Sequence, residues 1–304
     1  MSQSGLDRAA ALLGDRVRRD VSVGSLTTYR VGGTAALFLE ASTEADLKAV
    51  GEVVAATGID TLVVGKGSNL LVADAGFRGL AITLVGAPFT AIDIDRTIVR
   101  AGGAVSLPVL ARRTAKAGLT GLEWCVGVPG SVGGAVRMNA GGHGSDTKAA
   151  LRRCRVADLG DGRVAEIDAV RLDLGYRRSN LTARHVVVWA EYDLSAADSE
   201  QSAAEIAEIV RWRREHQPGG QNAGSIFTNP PGDSAGRLID QAGLKGFRVG
   251  SAHVSAKHAN FFQADDDGSA DDIRALIEEV RRRVEATTGV RLEPELHMVG
   301  FADA

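Results

Sequence analysis

Two cysteines, Cys125 and Cys154, are all the chain has, and neither sits at metal-ligand spacing from other candidate ligands. That excludes a disulfide framework and gives no zinc or cluster motif, so no metal site is expected and both thiols read as small core residues. No apolar run comes near the ~20 residues that a membrane span requires. No charge of one sign dominates either: the net charge is −3 and the sequence pI about 6.1. The strongly basic face that nucleic-acid binding needs is therefore missing. The clusters Arg211–Arg214 and Arg281–Arg283 fall on expected helices and read as solvated faces rather than a phosphate patch. Met1 to Gly14 holds an acidic residue and only a short apolar run, unlike a secretory signal. A reducing cytoplasm fits these absences. Internal repeats, low-complexity tracts, a Walker A loop and a Gly-x-Gly-x-x-Gly fingerprint are absent as well.

With 304 residues, 44% of them hydrophobic and 24% charged, the chain has ample material for more than one core. Strand and helix signals alternate, which predicts an α/β or α+β class. Residues 35–41 read as a strand. Thr43 and Asp46 then form a capping box that opens a helix with Leu47, Val50 and Val54 inward. Residues 61–64 form a buried strand running straight into a glycine loop. Short strands follow over 80–101, and a helix over 107–117. Residues 151–159, 163–167 and 185–194 read as an antiparallel sheet, with the continuous apolar run Val186–Trp189 at its centre. The small polar stretch 195–202 reads as a linker to a last domain. That domain has helices over 203–214 and 270–287. The second is capped by Ser269, buries Ile273, Leu276, Ile277, Val280 and Val284, and ends at Gly289.

Two glycine clusters stand out, Val64–Leu71 and Gly121–Gly142. Glycine permits left-handed turns and close approach to a ligand, and successive exposed backbone N–H groups make concave anion sites. In chain order the segments Thr28–Gly33, Gly67–Leu71, Val128–Gly134, Met138–Gly141, Gly175–Ser179, Gly224–Pro230 and Leu292–Glu295 resemble the UDP-N-acetylenolpyruvoylglucosamine reductase (MurB) family of peptidoglycan synthesis. The resemblance spans roughly residues 20 to 300.

The resemblance implies an α+β protein: a two-subdomain FAD-binding fold of the vanillyl-alcohol-oxidase type (residues 1–80 and 81–196) followed by a smaller α+β substrate domain (197–304). It implies non-covalent FAD, NADPH as reductant, and reduction of the enolpyruvyl ether of UDP-N-acetylglucosamine to the lactyl ether. The expected cofactor residues are Arg30, Gly65, Lys66, Gly67, Ser68, Asn69, Leu70, Gly130, Ser131, Gly134, Asn139 and Gly141. Either asparagine equally suits a left-handed turn. Arg177 is the expected cation for the substrate carboxylate and developing enolate, Ser225 the proton donor, and Glu295 the third catalytic residue. Tyr176 and Asn229 are expected at the substrate. Read without the resemblance, Arg177 is a loop arginine pairing with Asp173, Ser225 a turn or capping serine, and Glu295 part of a solvated edge strand. Leu292–Met298 alternates as such a strand, with Pro294 confining it to a start or edge.

The chain departs from the family pattern at Thr228, where lysine is usual, and at His297, where arginine is. Lys245 or Lys257 would have to replace the missing cation. The short span after Tyr192 points to the open-site subfamily. His258 has no evident role. The expected partner is a UDP-sugar, with the protein a cytoplasmic monomer serving cell-wall synthesis, cell shape and division. An oxidase or dehydrogenase of an alcohol or sugar on the same fold is the alternative, although Gly65–Asn69 offers no histidine or cysteine to tether flavin. A flavin-binding interaction protein without turnover is a third reading, which retention of Arg177, Ser225 and Glu295 disfavours.

Overall fold

The computed structural model describes residues 3–302. They gather into two compact units. The first runs to Asp20 and includes Ala36–Lys66 and Arg78–Trp212; the second takes Val21–Ala35, Gly67–Phe77 and the chain from Arg213 onward.

The first unit is built on two sheets. One has the order Val17–Ser22, Thr34–Ala41, Phe77–Leu84, Thr61–Val63, the last pair parallel with Leu62 opposite Ala81. The capping box forms as expected: Thr43 Oγ1 accepts from the Asp46 amide and Asp46 Oδ2 from the Thr43 amide. It opens helix Glu44–Thr57, which ends at left-handed Gly58. Of the three expected inward residues Leu47 and Val50 are buried while Val54 is only half-buried, and its neighbour Val53 is buried instead.

The other sheet has the order Val164–Asp168, Leu151–Asp158, His185–Asp193, Ile98–Gly102, Ile92–Asp95. Strand His185–Asp193 is central. Val186 and Val188 enter one core with Leu39 and Ile82, and Val187 and Tyr192 the other with Leu110 and Trp124. Burial on both faces explains the unbroken apolar run. Cys125 and Cys154 are buried in this second core, and burial pushes the Cys154 thiol up to about 12.

Residues 195–202 are not a linker. Ser195–Ala196 pairs antiparallel with Leu119–Thr120, and helix Ser199–His216 starts four residues earlier than its periodicity predicts. Small polar residues read as flexible by composition, but Ser202 is buried and donates to the buried Glu123 carboxylate at 2.7 Å.

The same unit carries a buried carboxylate on its central strand. Glu191 accepts from Arg153 Nε at 2.8 Å and from Arg100 Nη2 at 2.8 Å. The hydrogen bond from Arg153 holds its pKa below the ordinary 4.5, burial opposes the shift, and Arg100 reinforces it. A depressed carboxylate stabilises the fold at pH values above its unfolded pKa, and that stability is lost as the pH falls through the folded pKa. Glu191→Gln should therefore cost on the order of 2 kcal/mol at neutral pH, less than a fully buried pair because its guanidinium partners, Arg100, Arg153 and the more distant Arg152, reach water. The deficit should shrink as the pH drops below 4.5, measured by urea unfolding across that range.

The second unit packs helix Ala270–Thr288 on a three-stranded sheet of Arg248–Val249, Ala252–Val254 and Phe262–Ala264. Its buried stripe is the expected one, with Ser269 Oγ accepting from the Asp272 amide and Gly289 left-handed at the end. Asp74 adds to that cap, accepting from Ser269 Oγ and the Ala270 and Asp271 amides. Strand Leu70–Val72, from early in the chain, pairs in parallel with His297–Val299.

Among the described residues no helix is long and apolar enough to cross a membrane, and no group of three or more His, Cys, Asp or Glu could hold a metal ion.

Candidate active site

In the first unit, strand Thr61–Val63 delivers the chain into the first glycine cluster, and the two sheets leave an open cavity at that point. Gly65, Lys66, Ser131, Gly134 and Arg137 line it, with Val187 among its apolar walls. A Cβ on Gly65 would come within 2.6 Å of Ser131 Oγ, so any side chain there would displace that hydroxyl. Ser131 is buried, and its hydroxyl is committed to capping helix Val132–Met138 through the Gly134 amide. The next amides of that loop are also committed, Val132 to the Val105 carbonyl and Gly133 to the Gly103 carbonyl. Among the described residues the amides of Gly65 and Lys66 donate to no protein acceptor. Backbone donors for an anion are thus open in the first cluster at Gly65 and Lys66, and in the second at Gly130 and Ser131, whose amides likewise donate to no protein acceptor among the described residues. Gly130 immediately precedes Ser131, and its carbonyl accepts from the Leu107 amide.

A second cluster in the same unit surrounds Arg177. Asn139 is buried and left-handed at the end of helix Val132–Met138. Its side-chain amide donates to Asp146 Oδ2 and to the Gly175 carbonyl, both at 3.0 Å, and its carbonyl accepts from the Lys148 amide. Asn139 thus shapes the loop that carries Tyr176 and Arg177. That loop is closed by reciprocal Gly175–Arg178 backbone bonds, and Arg177 itself is left-handed at φ 55°. Arg177 Nη2 donates to the Gly141 carbonyl at 2.9 Å, and the guanidinium lies 5.1 Å from the centre of the Tyr176 ring. Asp173 pairs with the neighbouring Arg178. Tyr176 is well exposed at 59%.

The second unit holds Ser225 and Glu295. The Glu295 amide donates to the Ile226 carbonyl at 2.7 Å and the Thr228 amide to the Glu293 carbonyl, with Phe227 bridged to Pro294. Segments 225–228 and 293–295 therefore run side by side, and Ser225 and Glu295 sit at adjacent positions of that pairing. Asn260, buried, fixes the first segment from its other side: its amide donates to the Phe227 carbonyl and its carbonyl accepts from the Phe227 amide. The Ser225 hydroxyl caps no helix, and among the described residues it makes no protein hydrogen bond. Segment 292–298 is less regular than its alternation predicts. Proline has no N–H for a ladder, and a strand forms only over His297–Val299. Leu292 and Leu296 are nevertheless buried, as that alternation requires.

Several other expected residues have evident structural duties here. Asn69 donates to the Glu295 carbonyl at 3.1 Å and is not left-handed. Gly67 is left-handed at φ 62°, with its carbonyl accepting from the Thr28 amide. Ser68 is half-buried between Gly67 and Asn69, and Leu70 is buried in its strand. Arg30 is exposed and left-handed. Asn229 Oδ1 accepts from the Ala235 amide at a helix start. Lys245 pairs with Asp240, and Lys257 donates to the Arg214 carbonyl at the end of a helix. His258 is half-buried, accepts from the Asn260 amide, and has its pKa lowered by burial. The clusters 211–214 and 281–283 are solvated only in part: Arg211, Arg214 and Arg282 are exposed, while Arg213, Arg281 and Arg283 are half-buried, Arg281 pairing with Glu278 and Glu293 and both Arg282 and Arg283 with Glu279. Sequence reasoning missed Arg137, which carries no motif of its own.

A two-sheet unit with a glycine-lined, cationic cavity below a strand–loop turn defines the class: residues 35–168 match the family model described as FAD binding domain. Residues 215–299 match the C-terminal domain of UDP-N-acetylenolpyruvoylglucosamine reductase. Among curated relatives, the reductase of that name from Heliobacterium modesticaldum is 43% identical over 277 residues, covering 90% of this chain and 88% of the relative. That from Rubrobacter xylanophilus is 43% identical, covering 90% and 92%. The solved structure of the Thermus caldophilus reductase (MurB) superposes with a TM-score of 0.80 at 37% identity, covering 93% of this chain and 99% of that one. The chain belongs to the UDP-N-acetylenolpyruvoylglucosamine reductase family.

Proposed function

We propose that this protein reduces UDP-N-acetylglucosamine enolpyruvate to UDP-N-acetylmuramate, with FAD as its bound cofactor and NADPH as reductant. The observation that carries the reading is the pairing of 225–228 with 293–295, which sets Ser225 and Glu295 at neighbouring positions inside the family-matched C-terminal segment. The cavity fits a dinucleotide: it is glycine-lined, partly apolar, and supplied with open amides and cations. FAD, when bound, supplies the hydride that reaches the terminal carbon of the substrate double bond.

The chain's own residues have three tasks. Arg177, permanently charged and anchored by the Gly141 carbonyl, binds the substrate carboxylate and stabilises the charge that spreads into it. Glu295, beside Ser225 in that pairing, shares that task. Ser225 gives its hydroxyl proton to the carbon beside the carboxylate and recovers it from solvent, which leaves the lactyl ether balanced by one hydride and one proton. A UDP-sugar substrate fits a cytoplasmic, monomeric enzyme of peptidoglycan precursor synthesis.

The test is anaerobic NADPH oxidation by the purified, FAD-loaded protein with and without the enolpyruvyl substrate. Sustained oxidation should require the substrate. A flavin that NADPH reduces stoichiometrically but the substrate cannot reoxidise would point to another acceptor.

A further inference from the structure

Arg137 sits in the last turn of helix Val132–Met138 and lines the cavity of the first unit. Several other half-buried guanidinium groups have partners within the fold. Arg155 pairs with Glu44, Arg153 with Glu191, Arg213 with Gln217, and Arg274 with the Ala302 carbonyl. Arg137 has no such partner. Among the described residues it is half-buried yet has neither an ion pair nor a side-chain hydrogen bond. Burial pulls its pKa below the ordinary value, and no carboxylate offsets that pull. Shielding a charge from water without a counter-ion is costly, so the fold tolerates it where a ligand supplies the missing charge.

The cavity specifies what that ligand is. Among the described residues no acidic side chain lines it, and its second cation, Lys66, is likewise unpaired. The open amides of Gly65 and Lys66 lie in the same lining. Two cations and two donors in one partly apolar cavity make a receptor for a multiply charged anion carried on an aromatic nucleotide. Arg137's backbone is held in place, its carbonyl accepting from Ser179 Oγ at 2.6 Å.

We infer that Arg137 is a diphosphate-binding residue, neutralising the flavin nucleotide's diphosphate from the helix side while Lys66 and the first-loop amides hold it from the other. The inference rests on the FAD reading above and adds a residue that the glycine motifs do not mark. A UDP-sugar carries the same diphosphate chemistry, so the two sources have to be separated.

Equilibrium dialysis of the purified protein against graded FAD, with ADP, riboflavin or UDP as competing probes, makes that separation. Arg137→Ala should weaken FAD about 10- to 100-fold, the range expected for losing a charge-assisted hydrogen bond. ADP competition should weaken with it, riboflavin and UDP competition should not, and Arg137→Lys should recover most of the loss. Arg137→Gln, which keeps the stem, carries the test if the alanine variant fails to fold. Unchanged FAD affinity overturns the inference, as does a loss shared equally by riboflavin or confined to UDP. Wild-type protein that retains no FAD overturns the flavin reading itself.

Discussion

Ser225→Ala is expected to leave reduction of the bound flavin by NADPH intact and to slow reduction of the enolpyruvyl substrate by about 10²- to 10⁴-fold, the usual worth of a positioned general acid. The structure makes this a clean experiment. The hydroxyl has no protein partner among the described residues, so its removal breaks no hydrogen bond of the fold. The segment around it is held through the backbone instead. Ile226 bonds to the Asn260 carbonyl and to the Glu295 amide, and Phe227 is clasped by the Asn260 side chain. Stability should therefore change by no more than about 0.5 kcal/mol. Stopped-flow absorbance separates the two half-reactions. Equal loss of both would remove Ser225 from the acid role and leave it as part of the loop.

The second large effect is expected at Arg177. Arg177→Lys keeps a positive charge but loses the fork that can hold the Gly141 carbonyl and a carboxylate together. Turnover of the substrate should fall by about 10²- to 10³-fold, comparable to removing one donor from an oxyanion site. The flavin half-reaction with NADPH should remain, and kcat should fall with kcat/KM because the lost interaction strengthens as charge develops. If only KM rises, Arg177 binds the carboxylate equally in ground and transition states and does not stabilise the enolate. The left-handed backbone at Arg177 does not confound the comparison, because lysine pays the same conformational penalty there.

These two residues were alike in how little their local sequence revealed. Both came from short motifs whose local reading was bland: a loop arginine beside Asp173, and a turn serine. The fold assigns Asp173 to Arg178 and leaves the Ser225 hydroxyl without a structural task. Asn139 shows the reverse. Its motif pointed to cofactor, and its local chemistry to a left-handed turn; in the structure it is the turn, and it spends its amide on Asp146 and on Gly175.

What the sequence determined by itself was whatever depends on neighbours a few residues apart. The Thr43–Asp46 capping box, the five-residue stripe and Ser269 cap of helix Ala270–Thr288, and the two-faced burial of strand His185–Asp193 all follow from period and cap chemistry. Tertiary structure alone decided the rest. Leu70–Val72 pairs with His297–Val299 from the far end of the chain, and Asn69 braces Glu295. The polar stretch 195–202 is ordered because Ser202 reaches the buried Glu123. Arg137 became visible only as a shielded cation without a counter-ion. The physical reason is common to all of these: a hydrogen bond or charge pair between residues far apart in the chain leaves no periodic trace in the sequence, because its geometry exists only once the backbone has folded.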